Sequence, residues 1–273
     1  MNGGTIMPAV TITVANQKGG VGKTTVITNI AGVMAHKGHR VLVVDADPQC
    51  NATLFFTDPN ETIPPSKTIA AIYGEKTDVN AELIIPTRFK TLDLIPGGFT
   101  LAGNVADVAQ RFDAGRRLQG YLRKKKEGYD FIFIDCPPDI GIYTLNAFVA
   151  SDFVIVPIQP ERLALEGFSQ LQEKIEMIQS FGEKIRLFGV ITTMLDERTL
   201  SQRDWFTQIQ TAFEDIHLGI FHRATLIAEA TDAGKLVVDV DRKGRPYQEL
   251  LRICQEICRR LDIRFDRGGV REK

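Results

Sequence analysis

Asn16-Gln17-Lys18-Gly19-Gly20-Val21-Gly22-Lys23-Thr24-Thr25 separates an apolar, β-branched run, Val10 to Ala15, from a helical pattern, Lys23 to His36, that Gly38 closes. In a strand–loop–helix setting the backbone N–H groups of the loop and the first turn of the helix converge on a chain of phosphates. Glycines let the backbone curl around the oxygens without a Cβ in the way. Gly19, Gly20, Val21, Gly22, Lys23, Thr24 and Thr25 are therefore the expected phosphate-binding residues. Lys23 would sit on the β and γ phosphates, and the Thr24 hydroxyl would complete a Mg²⁺ shell otherwise built of phosphate oxygens and water. The ordinary form of this loop has a glycine five positions before Gly22; here that position is Gln17, and Lys18 precedes two glycines instead.

Working outward, further apolar runs at Arg40 to Asp45, Thr91 to Ile95, Asp130 to Asp135, Asp152 to Pro157 and Leu187 to Met194 are expected as buried strands. Helices are expected at Gly115 to Lys126, Gly141 to Ala150, Leu165 to Ser180, Thr199 to Phe213 and Tyr247 to Leu261. Such alternation means an α/β fold, a mostly parallel twisted sheet with helices on both faces. A chain of 273 residues is long enough for one such domain, expected over 8–263 between loose tails at 1–7 and 264–273. Residues 57 to 66, with Pro59, Pro64 and Pro65, are expected as a surface excursion.

Two acidic motifs fall at strand ends. Asp45-Ala46-Asp47-Pro48-Gln49 closes the second strand, at the edge of the sheet where α/β proteins bind ligands. Phe131-Ile132-Phe133-Ile134-Asp135 sets four apolar residues before a carboxylate, the arrangement that holds an acid against hydrated Mg²⁺ and that marks a Walker B strand. Thr24, Asp45 and Asp135 are the expected metal residues, the two carboxylates acting through water, and Asp45 alternatively shapes the loop. Cys136 reads as a small buried residue, with no His near it in sequence.

The Lys18 form of the loop resembles the deviant phosphate-loop ATPases of the ParA/MinD family, and most closely the ParA/Soj partition branch. The likeness continues through Cys136 to Gly141, Thr144 to Ala147, Val156 to Gln159, Ala164 to Gly167, Ile227 to Ala230, Gly244, Tyr247 and Leu250. It implies a slow, partner-stimulated ATPase with ATP and Mg²⁺ as cofactors, in which Lys18 reaches the phosphates of a partner subunit and Asp47 orients or deprotonates the attacking water. Lys18 then joins residues 19–25 in the expected ATP-binding set, and Lys18, Lys23 and Asp47 are the expected catalytic residues, with Pro48, Gln49 and the 136–147 region as switches. It also implies a homodimer in the ATP state that binds nonspecific double-stranded DNA, with a ParB-like or other adaptor stimulating hydrolysis, in the cytoplasm on the nucleoid. Arg198 and Arg223 match DNA-contacting positions of that branch; Leu226 stands where a further arginine is common, a departure that Arg242, Lys243 and Arg245 could offset.

Composition bounds the alternatives. Lys and Arg total 33 against 34 Asp and Glu, a formal net charge of −1, so any DNA affinity must come from a local patch. Such patches include the basic stretch within 115–126, expected mainly as a solvated face. Four cysteines without a CxxC pair and no long apolar run fit a reducing, cytoplasmic setting without a membrane. A MinD-like membrane positioner needs a C-terminal amphipathic anchor, whereas Leu250, Leu251, Ile253, Ile257 and Leu261 fit a helix docked on a core. An iron–sulfur protein of the same fold needs two cysteine ligands per chain at the interface, and only Cys136 lies near the nucleotide motifs. No helix-turn-helix precedes residue 8, and His36, His39, His217 and His222 lack metal spacing.

Overall fold

The computed structural model describes residues 8–58, 60–74, 82–111 and 113–268. Its strands are β1 (Val10–Val14), β2 (Val41–Asp45), β3 (Ile85–Pro86), β4 (Leu92–Ile95), β5 (Phe131–Asp135), β6 (Phe153–Ile158), β7 (Arg186–Thr193) and β8 (His217–Phe221). Among the described residues they form one sheet in the order β3-β4-β2-β5-β1-β6-β7-β8. Every neighbouring pair is parallel except β3 with β4. The helices are α1 (Lys23–His36), α2 (Asn51–Phe56), α3 (Ala70–Tyr73), α4 (Val105–Ala109), α5 (Arg117–Arg123), α6 (Ile142–Ala150), α7 (Ala164–Ser180), α8 (Leu200–Ala212), α9 (Thr225–Asp232), α10 (Val237–Val240) and α11 (Arg245–Arg260).

Alternation along each central strand divides its side chains between two cores. Phe131 and Phe133 of β5, with Val41 and Val43 of β2, pack under α1 and α11, while Ile132, Ile134, Leu42 and Val44 face α5, α6 and α7. All five residues of β2 and of β5 are buried, so their sequences read as continuous apolar runs rather than alternating ones. The six strands expected from such runs are present within one or two residues. The edge strands β3 and β8 and the short helices α2, α3, α4, α9 and α10 were not expected.

Two differences from the sequence reading have plain physical causes. The helix expected over 115–126 spans only Arg117–Arg123, and its cations largely bind their own chain: Arg116 lies 2.5 Å from Glu183, Arg117 3.0 Å from Asp113, Lys125 3.5 Å from Glu82 and Lys126 3.3 Å from Asp152. The tail expected from 264 is docked over its first residues. Phe265 packs on the α1/α11 core, its carbonyl 2.9 Å from His39 Nε2, and the Arg267 guanidinium reaches Asp130 at 2.8 Å. Residues 1–7 and 269–273 lie outside the described residues.

Candidate active site

Strand order sets the site. β2, β5 and β1 are neighbours, with Asp45 in register with Asp135 and Val14 with Asp135, so the loop after β1 and the carboxylates closing β2 and β5 meet at one edge of the sheet. Within that loop Gly20 and Gly22 take left-handed φ of 75° and 85°, a conformation costly for any residue with a Cβ, and Gly22 is the residue from which α1 starts. The loop is pinned from the opposite side: Asn16 Nδ2 donates to the carbonyl of Pro157 at 2.7 Å, Thr193 Oγ1 to that of Val21 at 2.8 Å, and Gln159 Nε2 to that of Gly20 at 3.2 Å.

The result is an open cavity of about 470 Å³ bounded by Gly19, Gly20, Gly22, Lys23, Thr24 and Thr25 on one side and by Asp47, Gln49 and Pro138 on the other. The Lys23 ammonium spans the loop, donating to the carbonyls of Asn16 and Lys18 at 3.1 Å each. Burial pulls its pKa down, opposed by the nearby carboxylates, Asp135 first. Lys18 behaves differently. Its side chain is half exposed, lies outside the cavity that Lys23 lines, and pairs with Glu161.

Each carboxylate has its own surroundings. Asp135 Oδ2 accepts the Thr24 hydroxyl at 2.6 Å, while Asp135 Oδ1 is buried without a hydrogen-bond partner. Burial, then Asp45, raises its pKa well above the usual carboxylate range, so the site charges this group at a cost that a cation would offset. Asp45, fully buried, is occupied by protein donors: Oδ2 accepts from the Thr53 N–H and hydroxyl at 2.7 Å each, and Oδ1 from the Asp47 N–H at 3.2 Å. Burial pushes it to about 6 against the pull of those bonds. Asp47 lines the cavity, raised in pKa by burial, with Oδ1 accepting the Gln49 N–H at 2.8 Å.

Magnesium fits this set. An unpartnered buried carboxylate oxygen beside a threonine hydroxyl suits a hard cation. Among the described residues no three His, Cys, Asp or Glu side chains converge as a metal site of their own, so phosphate oxygens and water must supply the rest of the shell.

A second cavity of about 330 Å³ shares Gly22, Thr25, Met194 and Thr231 with the first and continues it toward the β8–α9 loop. Phe221, Ala224, Ile227 and Ala228 give it apolar walls. Sequence reading missed these residues as site residues. The available signal is positional: the loop leaves β8 at the same edge of the sheet as the other ligand loops.

The four expected DNA residues do not line the phosphate cavity itself and sit on three loops at the β7–β8 end, though Arg223 also borders the second cavity. Arg198 is 88% exposed and pairs with Asp196 at 2.7 Å. Arg223 is also exposed, and its N–H donates to the carbonyl of Leu195 at 3.3 Å, which joins the two loops. Arg242 and Lys243 are exposed ahead of α11. Arg245 is committed to Glu249 at 2.7 Å and to Glu197 at 3.6 Å.

All four cysteines are free and buried, Cys136 beneath the site and Cys254 and Cys258 in the core against α1. The apolar face of α11, with Leu250, Ile253 and Ile257, is spent on that core. Among the described residues no helix is long and apolar enough to cross a membrane.

A family model described as an AAA domain matches residues 9–187. The sporulation initiation inhibitor protein Soj of Bacillus subtilis is 35% identical over 248 residues, covering 90% of this chain and 97% of that protein. The chromosome partitioning protein ParA of Caulobacter vibrioides is 33% identical over 257 residues, covering 93% and 95%. Cobyrinic acid a,c-diamide synthase from Mycobacterium smegmatis, solved with an ATP analogue and magnesium, superposes with a TM-score of 0.75 at 27% identity over 93% of this chain and 96% of that one. ATP and Mg²⁺ are the cofactors to which the cavity described above corresponds.

Proposed function

The chain belongs to the ParA/Soj-type family of partition ATPases, and from that premise we propose that it is a nucleotide-switched cargo-positioning ATPase. ATP closes two copies face to face, the closed pair binds nonspecific double-stranded DNA on the nucleoid, and hydrolysis, slow until an adaptor protein of the ParB kind stimulates it, releases them. The observation that carries this reading is the division of roles between two lysines five residues apart: Lys23 lines the phosphate cavity of its own chain, whereas Lys18 stands outside it, half exposed and held by Glu161. A lysine so placed is free to serve a nucleotide in a facing subunit once its ion pair opens, because an exposed pair of this type is worth under about 1 kcal/mol.

In hydrolysis the loop N–H groups and Lys23 hold the phosphate chain and spread its charge, with Lys18 adding a second cation from across the interface. Magnesium, when bound, draws charge from the phosphate oxygens, and the Thr24 hydroxyl and Asp135 orient its shell. Asp47 accepts a proton from water as the water oxygen bonds to the γ phosphorus and the bond to the ADP oxygen breaks. Asp45 acts one step back, fixing the Asp47–Thr53 turn through its three hydrogen bonds. Arg198, Arg223, Arg242 and Lys243 supply the DNA surface, which two copies double.

The reading is tested by size-exclusion chromatography and DNA retention with ADP and with a nonhydrolysable ATP analogue. A dimer that retains DNA only with the analogue is expected. A chain that remains monomeric with both, or retains DNA equally with both, would overturn it.

A further inference from the structure

Between the second cavity and the DNA-facing loops lies a charge network, buried at His222 and Glu249 and open to solvent at Arg245 and Glu197, that the reaction just described does not use. Glu249 of α11 is 7% exposed, yet it carries a carboxylate into the interior. Its oxygens meet three donors: Oε2 accepts the backbone N–H of His222 at 3.0 Å, and Oε1 lies 2.7 Å from both His222 Nδ1 and Arg245 Nε. The Arg245 guanidinium lies against the same ring, its Nη2 3.0 Å from Nδ1 and 2.6 Å from Nε2, and Nε2 is 3.3 Å from Glu197.

His222 is the second residue of the Phe221–Ala224 loop, and that loop is a wall of the cavity continuing the phosphate site. Phe221 still sits on the β7 ladder, its carbonyl accepting the Met194 N–H at 2.8 Å, but the residues after it leave the sheet, so their position depends on what anchors them. Here the anchor is one carboxylate gripping one residue through both main chain and side chain, from a helix whose apolar face is fastened in the core. The next residue, Arg223, donates its N–H to Leu195, two residues before Glu197.

We propose that Glu249 is a positioning residue for nucleotide binding: through His222 it fixes the 221–224 loop as the wall of the nucleoside end of the site, and it ties that wall to the loop bearing Arg198. The inference rests on the nucleotide reading above but not on DNA binding. Loosening this wall weakens contacts to the base and sugar and leaves the phosphate loop as it was, because the hydrogen bonds and ion pairs of the network run among residues 197, 222, 245 and 249 and not to residues 16–25. Truncating a carboxylate that satisfies buried donors costs enough to lower affinity for the whole nucleotide about tenfold.

The test is titration of purified protein with Mg²⁺-ATP and, separately, with Mg²⁺-pyrophosphate, a probe of the phosphate end alone. Wild type binding neither would overturn the nucleotide reading itself. Given binding by wild type, Glu249→Ala is expected to weaken ATP about tenfold with pyrophosphate within twofold, and Glu249→Gln, which keeps an acceptor in place, to recover most of the loss. His222→Ala makes the same comparison from the other half of the clamp should Glu249→Ala fail to fold. Unchanged ATP affinity in the folded variant, or equal losses for ATP and pyrophosphate, would overturn the proposal.

Discussion

Residues in this site that look alike in sequence separate by their hydrogen-bond partners. Asp45, Asp47 and Asp135 all end strands or begin the turn after one, but both Asp45 oxygens already accept protein donors, Asp135 keeps one oxygen without a partner, and Asp47 faces the cavity. Asp47→Ala is expected to lower ATP turnover by at least about 100-fold, the usual worth of a positioned base, while nucleotide is still retained, measured by phosphate release beside ATP binding. Turnover at the parent rate would remove Asp47 from the role of base. His36 gives a separate test of electrostatics away from the site. Its pKa is raised, first by the hydrogen bond to Asp239 at 3.2 Å, so its protonated form is favoured by folding. That contribution is complete below the unfolded value near 6.5 and is lost as pH rises through the higher folded value. Melting temperature is therefore expected to fall by about 1–3 °C more in the parent than in His36→Gln between pH 6 and pH 8.5. Parallel curves would show that the pair contributes nothing.

Among elements, α6 shows how a motif that reads as a switch also has a structural duty. Asn146 is fully buried, and its Oδ1 accepts the N–H groups of Arg117 and Leu118 at 3.1 and 3.3 Å, serving the first turn of α5 from another helix. Its Nδ2 donates to Ala114 and Ile142 at 2.5 and 2.8 Å. Asn146→Ala leaves those buried groups unpaired and is expected to cost about 2–4 kcal/mol in urea unfolding; a loss below about 0.5 kcal/mol would mean that water replaces the amide freely. The sheet itself was legible because its central strands are buried on both faces and so must be apolar throughout, as Phe131 to Ile134 are. β8 was not, since His217-Leu218-Gly219-Ile220-Phe221 has a polar start and a central glycine. Helices α2, α3, α4 and α10 have six residues or fewer, too short for a 3.6-residue period to show.

For the molecule as a whole, the net charge of −1 makes the proposed DNA binding a matter of where cations remain unspent. The stretch within 115–126 has the densest positive charge in sequence, yet four of its cations are paired within the chain, while Lys243 and Arg223 stand exposed on the loops around β8. Arg198→Glu combined with Arg223→Glu is expected to abolish DNA retention in the ATP-loaded state, and Lys243→Ala to flatten the dependence of log affinity on log salt by about two per dimer, one phosphate contact from each copy. Variants that retain DNA with the parent slope would move the surface elsewhere.

By itself the sequence determined the phosphate loop, the strand-end carboxylates and the parallel sheet, because each rests on contiguous residues: a turn that only glycines tolerate, an acid directly after an apolar strand, and runs that burial on both faces forces to be apolar. The tertiary structure alone decided which carboxylate keeps an oxygen open, which cations are already neutralised, and that Glu249 grips the wall beside the phosphate site. The bonds of Thr24 to Asp135 and of His222 to Glu249 join groups 111 and 27 residues apart in the chain, and no local pattern records such a meeting.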